Sequence, residues 1–516
     1  MFLPPKLIHQ NGDQDLPLKN PLSSAIEVDT YAGKVHIEWD QDAAVTPIGQ
    51  LPFFIQFLKL GGRFDPWVQN CPLYYQSNNS HEKVDILGSL FLSILSGHTR
   101  YAHLNNLMSD RVNPKLLGMN KVVSEDSARR ALRRINEDAG IEWLQEHLQS
   151  SYEPLLKTPW ILDVDVTVKP LYGKQEGAKL GYNPQKPGRP SHTYHTYMMA
   201  NLRLILEVEV QSGNQSNSCH SMPGLIELLQ SLPLDGQPEF VRGDIAWGTD
   251  NAMTQLEDIF MHYLFKLKKT PKIQDLITKN HCEGNWTHIN KNWEAKEDRV
   301  QLQGWQKSRR VVIVRRQLSN KEALAMGYEL NGQQRLAFIE EAENMKLYEY
   351  SVLVTNLDYD VVSIFHQYRD RADCENNFDE IKNQWGWGGF TTQKLSSCQL
   401  ISRIIALIYN WWNLFVRLAI PDKHHEAITS RPLLLSGIGK LTERNRQKKM
   451  RITSLHGDTK KLKLVYTRLT DFFKQLKVIA PQLSFQQCWS LILAKAMEKF
   501  NVNLGSEIQT ELIAQA

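Results

Sequence analysis

The chain reads as an α/β protein: a mixed-sheet core, interrupted by a strand-rich insertion and flanked by helical N- and C-terminal regions. Three observations predict this. From Trp160 the helical periodicity gives way to short β-branched runs, in the order strand, strand, strand, helix, strand, helix, strand. That rhythm breaks between residues 272 and 345 and resumes with E-Y-S-V-L-V-T-N-L at Glu349–Leu357. The stretches before about residue 150 and after residue 395 carry helical spacing instead. The expected divisions are 1–150, mainly helical; 151–271, the first part of the core; 272–345, the insertion; 346–395, the second part of the core; and 396–516, helical again.

Composition bounds the possibilities. With 516 residues and 42% hydrophobic residues, the chain has material for real cores and for roughly three domains at about 150 residues each. The net charge of +4 is only mildly basic, so any argument for an anionic partner must rest on local clusters. The six cysteines are scattered without a C-x-x-C, which points to reduced thiols rather than a disulfide framework or a zinc site. The opening M-F-L-P-P-K-L lacks signal-peptide architecture, so the expectation is a cytoplasmic protein. The longest apolar run, Leu400 to Ile420, contains Arg403, Asn410, Asn413 and Arg417. Charges at bilayer depth cost several kcal/mol, so a buried helix is expected there and no membrane partner.

In chain order, residues 1 to about 50 are irregular with short strands, K-V-H-I-E-W alternating at period two. Helical segments follow, two of them ending at glycine. In S-E-D-S-A-R-R-A-L-R-R-I, Ser124 is a candidate N-cap, and Arg129, Arg130, Arg133 and Arg134 form a basic face. Such a face is either an ordinary solvated surface or a helix laid on DNA. W-I-L-D-V-D-V-T-V is a strand with Asp163 and Asp165 on one face. An ionised aspartate in so apolar a strand is costly unless something binds it, and two favour a cation site. His192 and His195 lie on the next strand-like run, where histidines are ordinarily structural. P-E-F-V-R-G-D-I-A-W reads as a strand ending at Asp244. The insertion holds Trp286, Trp293 and Trp305 and the basic run Ser308–Arg316, which includes Arg310 and Arg315. Residues 431–468 form a second basic segment, read as helical.

The most informative stretch is Y-R-D-R-A-D-C-E-N-N-F-D-E-I-K. Tyr368, Arg371, Glu375 and Lys382 are separated by three, four and seven residues, which places them on one stripe of a helix. A charged helix of this kind is often only a solvated face with an Arg371–Glu375 pair, worth about 0.3–0.5 kcal/mol. Upstream carboxylates on strands change the balance. Asp165, Asp244 and Glu375 would repel one another unless cations filled the gap. Hard divalent cations suit an all-oxygen set, Mg²⁺ being usual beside phosphate. Two ions roughly 3.5–4 Å apart would flank a phosphodiester for in-line displacement.

The spacing Y-x-x-R-x-x-x-E-x-x-x-x-x-x-K resembles the Y-R-E-K signature of DDE transposases from bacterial insertion sequences. L-D-V-D-V-T, Y-G-K-Q-E-G-A-K-L-G-Y-N-P-Q-K-P-G-R-P-S-H and V-R-G-D look like the same group, over about Ile161 to Thr392. Asp165 rather than Asp163 matches the D-x-T pattern, because Thr167 follows it; V-R-G-D departs by continuing with Ile245, Ala246 and Trp247. The resemblance implies an RNase H-like core and places the metals, two Mg²⁺ with Mn²⁺ able to substitute, on Asp165, Asp244 and Glu375. It implies that Tyr368, Arg371 and Lys382 grip DNA, and that one of Trp286, Trp293 and Trp305 stacks a displaced base. The expected partners are double-stranded DNA, as terminal inverted repeats and target, and a second copy of the chain on that DNA. The expected setting is the bacterial nucleoid. Two alternatives remain: an RNase H-like nuclease that never joins strands, and an inactive DNA-binding repressor. No P-loop and no H-E-x-x-H occur, which disfavours P-loop enzymes and zinc hydrolases.

Overall fold

The computed structural model describes residues 26–37, 44–318, 348–453 and 459–500, apart from 76, 78, 185 and 446; of residues 26, 372–375 and 500 it describes the backbone alone. The first strands are short: β1 (Ile26–Thr30) pairs with β2 (Gly33–Ile37), and β3 (Ala44–Thr46) joins a small sheet described below.

The core elements occur in the expected order. β4 (Ile161–Pro170), β5 (Ser191–Met199) and β6 (Leu204–Ser212) form an antiparallel meander. After the helix Ser218–Ser231, β7 (Phe240–Gly243) returns parallel to β4 on its other side. After the helix Asp250–Asp258, β8 (Tyr263–Lys266) lies parallel to β7. The residues expected to form a separate insertion do not make a sheet of their own. A helix, Pro271–Glu283, leads into β9 (Thr287–Asn290), β10 (Trp293–Val300) and β11 (Arg309–Gln317). Through β12 (Tyr348–Thr355) these strands pair back onto β8. The result is one nine-stranded mixed sheet, ordered β6-β5-β4-β7-β8-β12-β11-β10-β9. Its extension holds because β11 alternates between two cores: Val311 and Ile313 face one hydrophobic cluster, Val312 and Val314 the other. Residues 319–347 of the expected insertion lie outside the described residues.

The C-terminal region departs from the all-helical expectation. The basic stretch after residue 438 folds as a hairpin, β13 (Gly439–Arg444) and β14 (Gln447–Ile452), and β13 also pairs with β3. Asn445 at the turn takes a positive φ of 51°, a conformation asparagine tolerates and a helix does not use. Helices Thr459–Ile479 and Phe485–Ala496 follow.

The helix Leu395–Ala419 organises the rest. It is buried on all sides, and no helix among the described residues is long and apolar enough to cross a membrane. N-terminal and C-terminal helices pack on it together, so the two helical regions share one core. Trp411 meets Trp67 edge-on with ring centroids 5.7 Å apart; Phe415 packs on Phe57 at 5.5 Å; Phe57 in turn packs on Trp489 at 5.3 Å. Gly140 allows the helix Glu137–Tyr152 to cross closely, since a Cβ there would meet a Leu400 methyl at 2.6 Å.

The polar residues of this apolar helix have a defined task. β6 is an edge strand, with backbone groups that no further strand pairs. Asn410 accepts from the Ile205 N–H at 2.9 Å and donates to the Ile205 carbonyl at 2.7 Å. Gln399 accepts from the Val210 N–H at 2.8 Å, and Arg403 pairs with Glu207 at 2.8 Å. The helix thus closes the sheet edge with side chains. Replacing Asn410→Leu leaves two buried backbone groups unpaired, and chemical denaturation is expected to show a loss on the order of 2–4 kcal/mol. A loss below about 0.5 kcal/mol would mean that the edge finds other partners.

Candidate active site

β4 carries the two aspartates, and the structure separates their roles. Asp163 is fully buried and forms a bidentate pair with Arg242 of β7, at 2.5 and 2.7 Å. Arg242 also donates to the Gln367 carbonyl on the helix covering this face. The strand aspartate that looked expensive is therefore neutralised by protein. Asp165, two residues on and on the same face, keeps 23% of its side-chain surface exposed; Arg371 donates to its Oδ1 at 3.0 Å.

β7 supplies the second carboxylate. It runs parallel to β4 with Asp163 opposite Arg242. The ladder ends at that pair and β7 ends at Gly243, so Asp244 follows directly after its strand, while Asp165 lies two residues past the last pair on β4. Asp244 is half-buried, and its Oδ1 accepts from the Ala246 N–H at 2.9 Å in the turn that follows. Trp247 closes this turn from below, fully buried against Phe265. The Ile-Ala-Trp departure noted in the sequence is thus accommodated by packing.

The single helix expected across Tyr368–Lys382 is two: Val361–Arg369 and Ala372–Gln384, with a break at Asp370 and Arg371. At the break the Arg371 N–H reaches back three residues to the Tyr368 carbonyl, tighter than an α-helical turn. Tyr368 consequently packs against the cluster containing Ile364 and Phe365. Arg371, largely buried, turns toward Asp165. The second helix presents Asp379 and Lys382 to a cleft of about 250 Å³, lined also by Asp165, Thr167, Tyr182 and Asn183. Glu375 lies on this helix, one turn beyond Arg371 and one before Asp379; its side chain is outside the described residues.

The far end of this helix is firmly held. Glu380, buried, accepts from the Trp385 indole at 3.1 Å and the Ala427 N–H at 2.9 Å and pairs with His424 at 3.0 Å. Arg431 lies over the Trp385 ring at 4.1 Å and donates to the Gln384 carbonyl at 2.7 Å. Asn377 accepts from the Tyr409 hydroxyl at 2.7 Å, joining this helix to the buried one.

The remaining predicted residues are spread over the molecule. Ser124 does cap its helix, accepting from the Ser127 N–H at 3.3 Å. Arg130, Arg133 and Arg134 are exposed there, while Arg129 pairs with Glu125 at 3.2 Å and lies over Tyr101. Arg310 donates to the carbonyls of Leu357 and Tyr359 and pairs with Glu297, so its guanidinium is engaged within the protein. Arg315 is held between Trp286 and Tyr348, at 3.9 and 4.3 Å from the ring centroids, and pairs with Glu294. Trp293 packs on Phe365 at 5.1 Å, and Trp305 lies beside Arg309 at 5.2 Å. All three tryptophans are half-buried. His192 and His195 are buried structural groups: His192 bonds the Glu176 carbonyl, His195 bonds Ser221 and Thr193, and burial lowers the His195 pKa to about 4. Arg242 was missed as a partner for Asp163, although V-R-G-D placed a cation one strand away; Asn183 and Tyr182 carried no signal beyond lying in a turn region.

The Transposase DDE domain group 1 family matches residues 72–473, well over half of the chain. The chain belongs to this family. No curated protein sequence matches it. The chain is similar to a cryo-EM structure of the piggyBac transposase synaptic complex with hairpin DNA, at 12% identity and a TM-score of 0.35 over 88% of each chain. Enzymes of the DDE family use divalent metal ions. Among the described residues no three His, Cys, Asp or Glu side chains gather as a metal site; Glu375 stands outside that set. The donor chemistry of this transposase nevertheless fits such an ion, since Asp165 on β4 lines an open cleft and Asp244, directly after the neighbouring β7, offers a second carboxylate.

The Asp163–Arg242 pair should prove essential to this geometry. Arg242→Met leaves a buried carboxylate without its partner, and urea denaturation is expected to show a loss of about 3–5 kcal/mol. Adding Asp163→Leu should restore most of it; a double variant as unstable as the single one would assign the loss to packing instead.

Proposed function

We propose that the chain is the transposase of a bacterial insertion sequence, acting in the nucleoid. It binds the terminal inverted repeats of its element as a homodimer and carries out Mg²⁺-dependent strand cleavage and strand transfer. The observation that carries this reading is Asp165 on β4, held by Arg371 and lining the same cleft as Lys382, with Asp244 directly after β7, the parallel neighbour of β4. Two further features support it. Strands β6-β5-β4-β7-β8, three antiparallel and then two parallel to β4, have the order expected of an RNase H-like core. Position 375 lies on the same helix as Lys382, two turns before it.

Mg²⁺ or Mn²⁺ held by Asp165, Asp244 and Glu375 would supply Lewis-acid activation of a water or 3′-hydroxyl and stabilise the departing oxygen. The chain's own groups do the rest. Arg371 fixes the orientation of Asp165 by donating to its Oδ1. Lys382 offers an ammonium to the non-bridging oxygens of the phosphodiester, where negative charge grows during displacement. Tyr368 stiffens the break from which Arg371 emerges. The exposed cations Arg130 and Arg133, with the β13–β14 hairpin, hold phosphates away from the cut.

The test is cleavage of labelled duplexes taken from the DNA flanking the coding sequence. In Mg²⁺ the wild type is expected to nick and then join. Glu375→Gln and Asp165→Asn should lower the rate by at least on the order of 10²–10³-fold while end binding persists. Cleavage without any joined product would favour the nuclease alternative, and binding without nicking the repressor. A gel-shift series in salt gives a second check: with six to ten phosphate contacts, affinity should fall roughly 10³–10⁵-fold between 50 and 200 mM. Binding indifferent to salt would rule out the basic faces as DNA contacts.

A further inference from the structure

The loop between β4 and β5 contains a group that the reaction as described does not use. Asn183 is only 5% exposed and lines the cleft beside Asp165. Its Oδ1 accepts from the Lys186 N–H at 3.1 Å, which fixes the side chain. Its Nδ2 is buried with no hydrogen-bond partner among the described residues. A buried amide donor left unpaired costs about 1–3 kcal/mol, so its place in a ligand-sized cleft points to an acceptor supplied by the ligand. The neighbouring Tyr182 also lines the cleft, yet 70% of it is exposed to solvent.

The base of the loop that carries both is tied to the sheet. The Leu171 N–H bonds the Pro190 carbonyl at 2.8 Å across its base, and the Ser191 N–H bonds the Lys179 carbonyl at 3.0 Å. Gly181 sits against the backbone of Gly213 so tightly that a Cβ would come within 1.9 Å of its carbonyl oxygen. On its outer side, Lys186 and Arg189 stack on the Tyr172 ring at 5.0 and 4.8 Å. The cleft opens where β4 outlasts β7: the two pair over Ile161–Asp163, and Asp165 to Val168 run on along the unpaired edge. At about 250 Å³ it is below the usual size of a drug pocket and far too narrow for a duplex.

We propose that this cleft takes one unstacked nucleotide next to the scissile phosphodiester, with Asn183 Nδ2 donating to it and Tyr182 stacking on its base. The inference rests on the transposase reading above and adds a nucleotide-binding lip to that site. Aromatic stacking tolerates any base, while the amide needs only an oxygen or ring nitrogen acceptor, so the lip holds a nucleotide by position more than by sequence. Lys186 and Arg189 then face the phosphates on the strand leading away.

The experiment pairs protein variants with abasic DNA in a double-mutant cycle. Once the wild-type cut is mapped, an abasic site is moved through the flanking nucleotides, on the element strand during cleavage and on the target strand during joining. With the wild type, one position is expected to slow the reaction by about 5- to 150-fold, the size of a stacking contact. In Tyr182→Ala the same abasic site should cost nothing further, whereas Tyr182→Phe should behave as wild type. Which strand shows the coupling identifies the DNA that supplies the nucleotide. Asn183→Asp preserves the acceptor for Lys186 but removes the donor, and should lower the rate at least tenfold with no change in Tm. Costs that simply add at every position on both strands, or an Asn183→Asp variant as active as the wild type, would overturn the lip and leave the transposase reading standing. A wild type that neither nicks nor joins flanking DNA would overturn both.

Discussion

The buried pair between Asp163 and Arg242 sets the geometry on which the site depends. It is made between neighbouring parallel strands and reaches a carbonyl of the helix above, so three elements meet at one guanidinium. A buried ion pair adds little net stability over apolar residues of the same volume. What it adds is direction. Side chains alternate along a strand, and a slip of one residue between β4 and β7 would turn every one of them to the opposite face. A bidentate pair tolerates no such slip. Asp165 lies two residues beyond it on β4 and on the same face, and Asp244 follows it directly after the end of β7.

A site built from like charges needs a rigid frame, because the charges themselves push apart. Here the frame comes from both ends of the chain. The buried helix Leu395–Ala419 binds the N-terminal helices through Trp411, closes the sheet edge at β6 through Asn410 and Gln399, and holds the Glu375 helix through Tyr409 and Asn377. His424 and Arg431, past the end of the buried helix, clamp the far end of the Glu375 helix. The terminal regions are therefore part of the scaffold of the site rather than modules appended to it.

Much of this was legible in the sequence, for physical reasons that differ by element. The alternation of apolar and β-branched residues in β4, β5, β6 and β12 announced strands, and the buried helix announced itself by length and apolarity. Local pattern did not reveal where strands pair. β9, β10 and β11 read as a separate insertion because their sequence positions say nothing of the ladder from β11 to β12 that joins them to the core. The break at Arg371 was hidden for the opposite reason: the residues around it have helical propensity, and the interruption comes from tertiary demands on Tyr368 and Arg371. Asp163 and Asp165 looked equivalent on a strand face, and only the partner strand distinguishes the one that is neutralised from the one that opens on the cleft.

The hairpin β13–β14 shows how much such a difference matters for function. Read as a helix, its cations would be spread around a cylinder, each with apolar or acidic neighbours in between. As a two-stranded ribbon, the pairings of Lys440 with Arg451, Thr442 with Lys449 and Arg444 with Gln447 gather four cations on one face. Leu441 and Met450 pair on the other. Like charges placed this close oppose the fold, and the small sheet completed by β3 offsets that repulsion. A polyanion lying along the ribbon would remove the repulsion altogether. The near-neutral overall charge is then no argument against a nucleic-acid partner. Local charge counts for more than the total, and the ribbon gathers its cations where a phosphate backbone could lie along them.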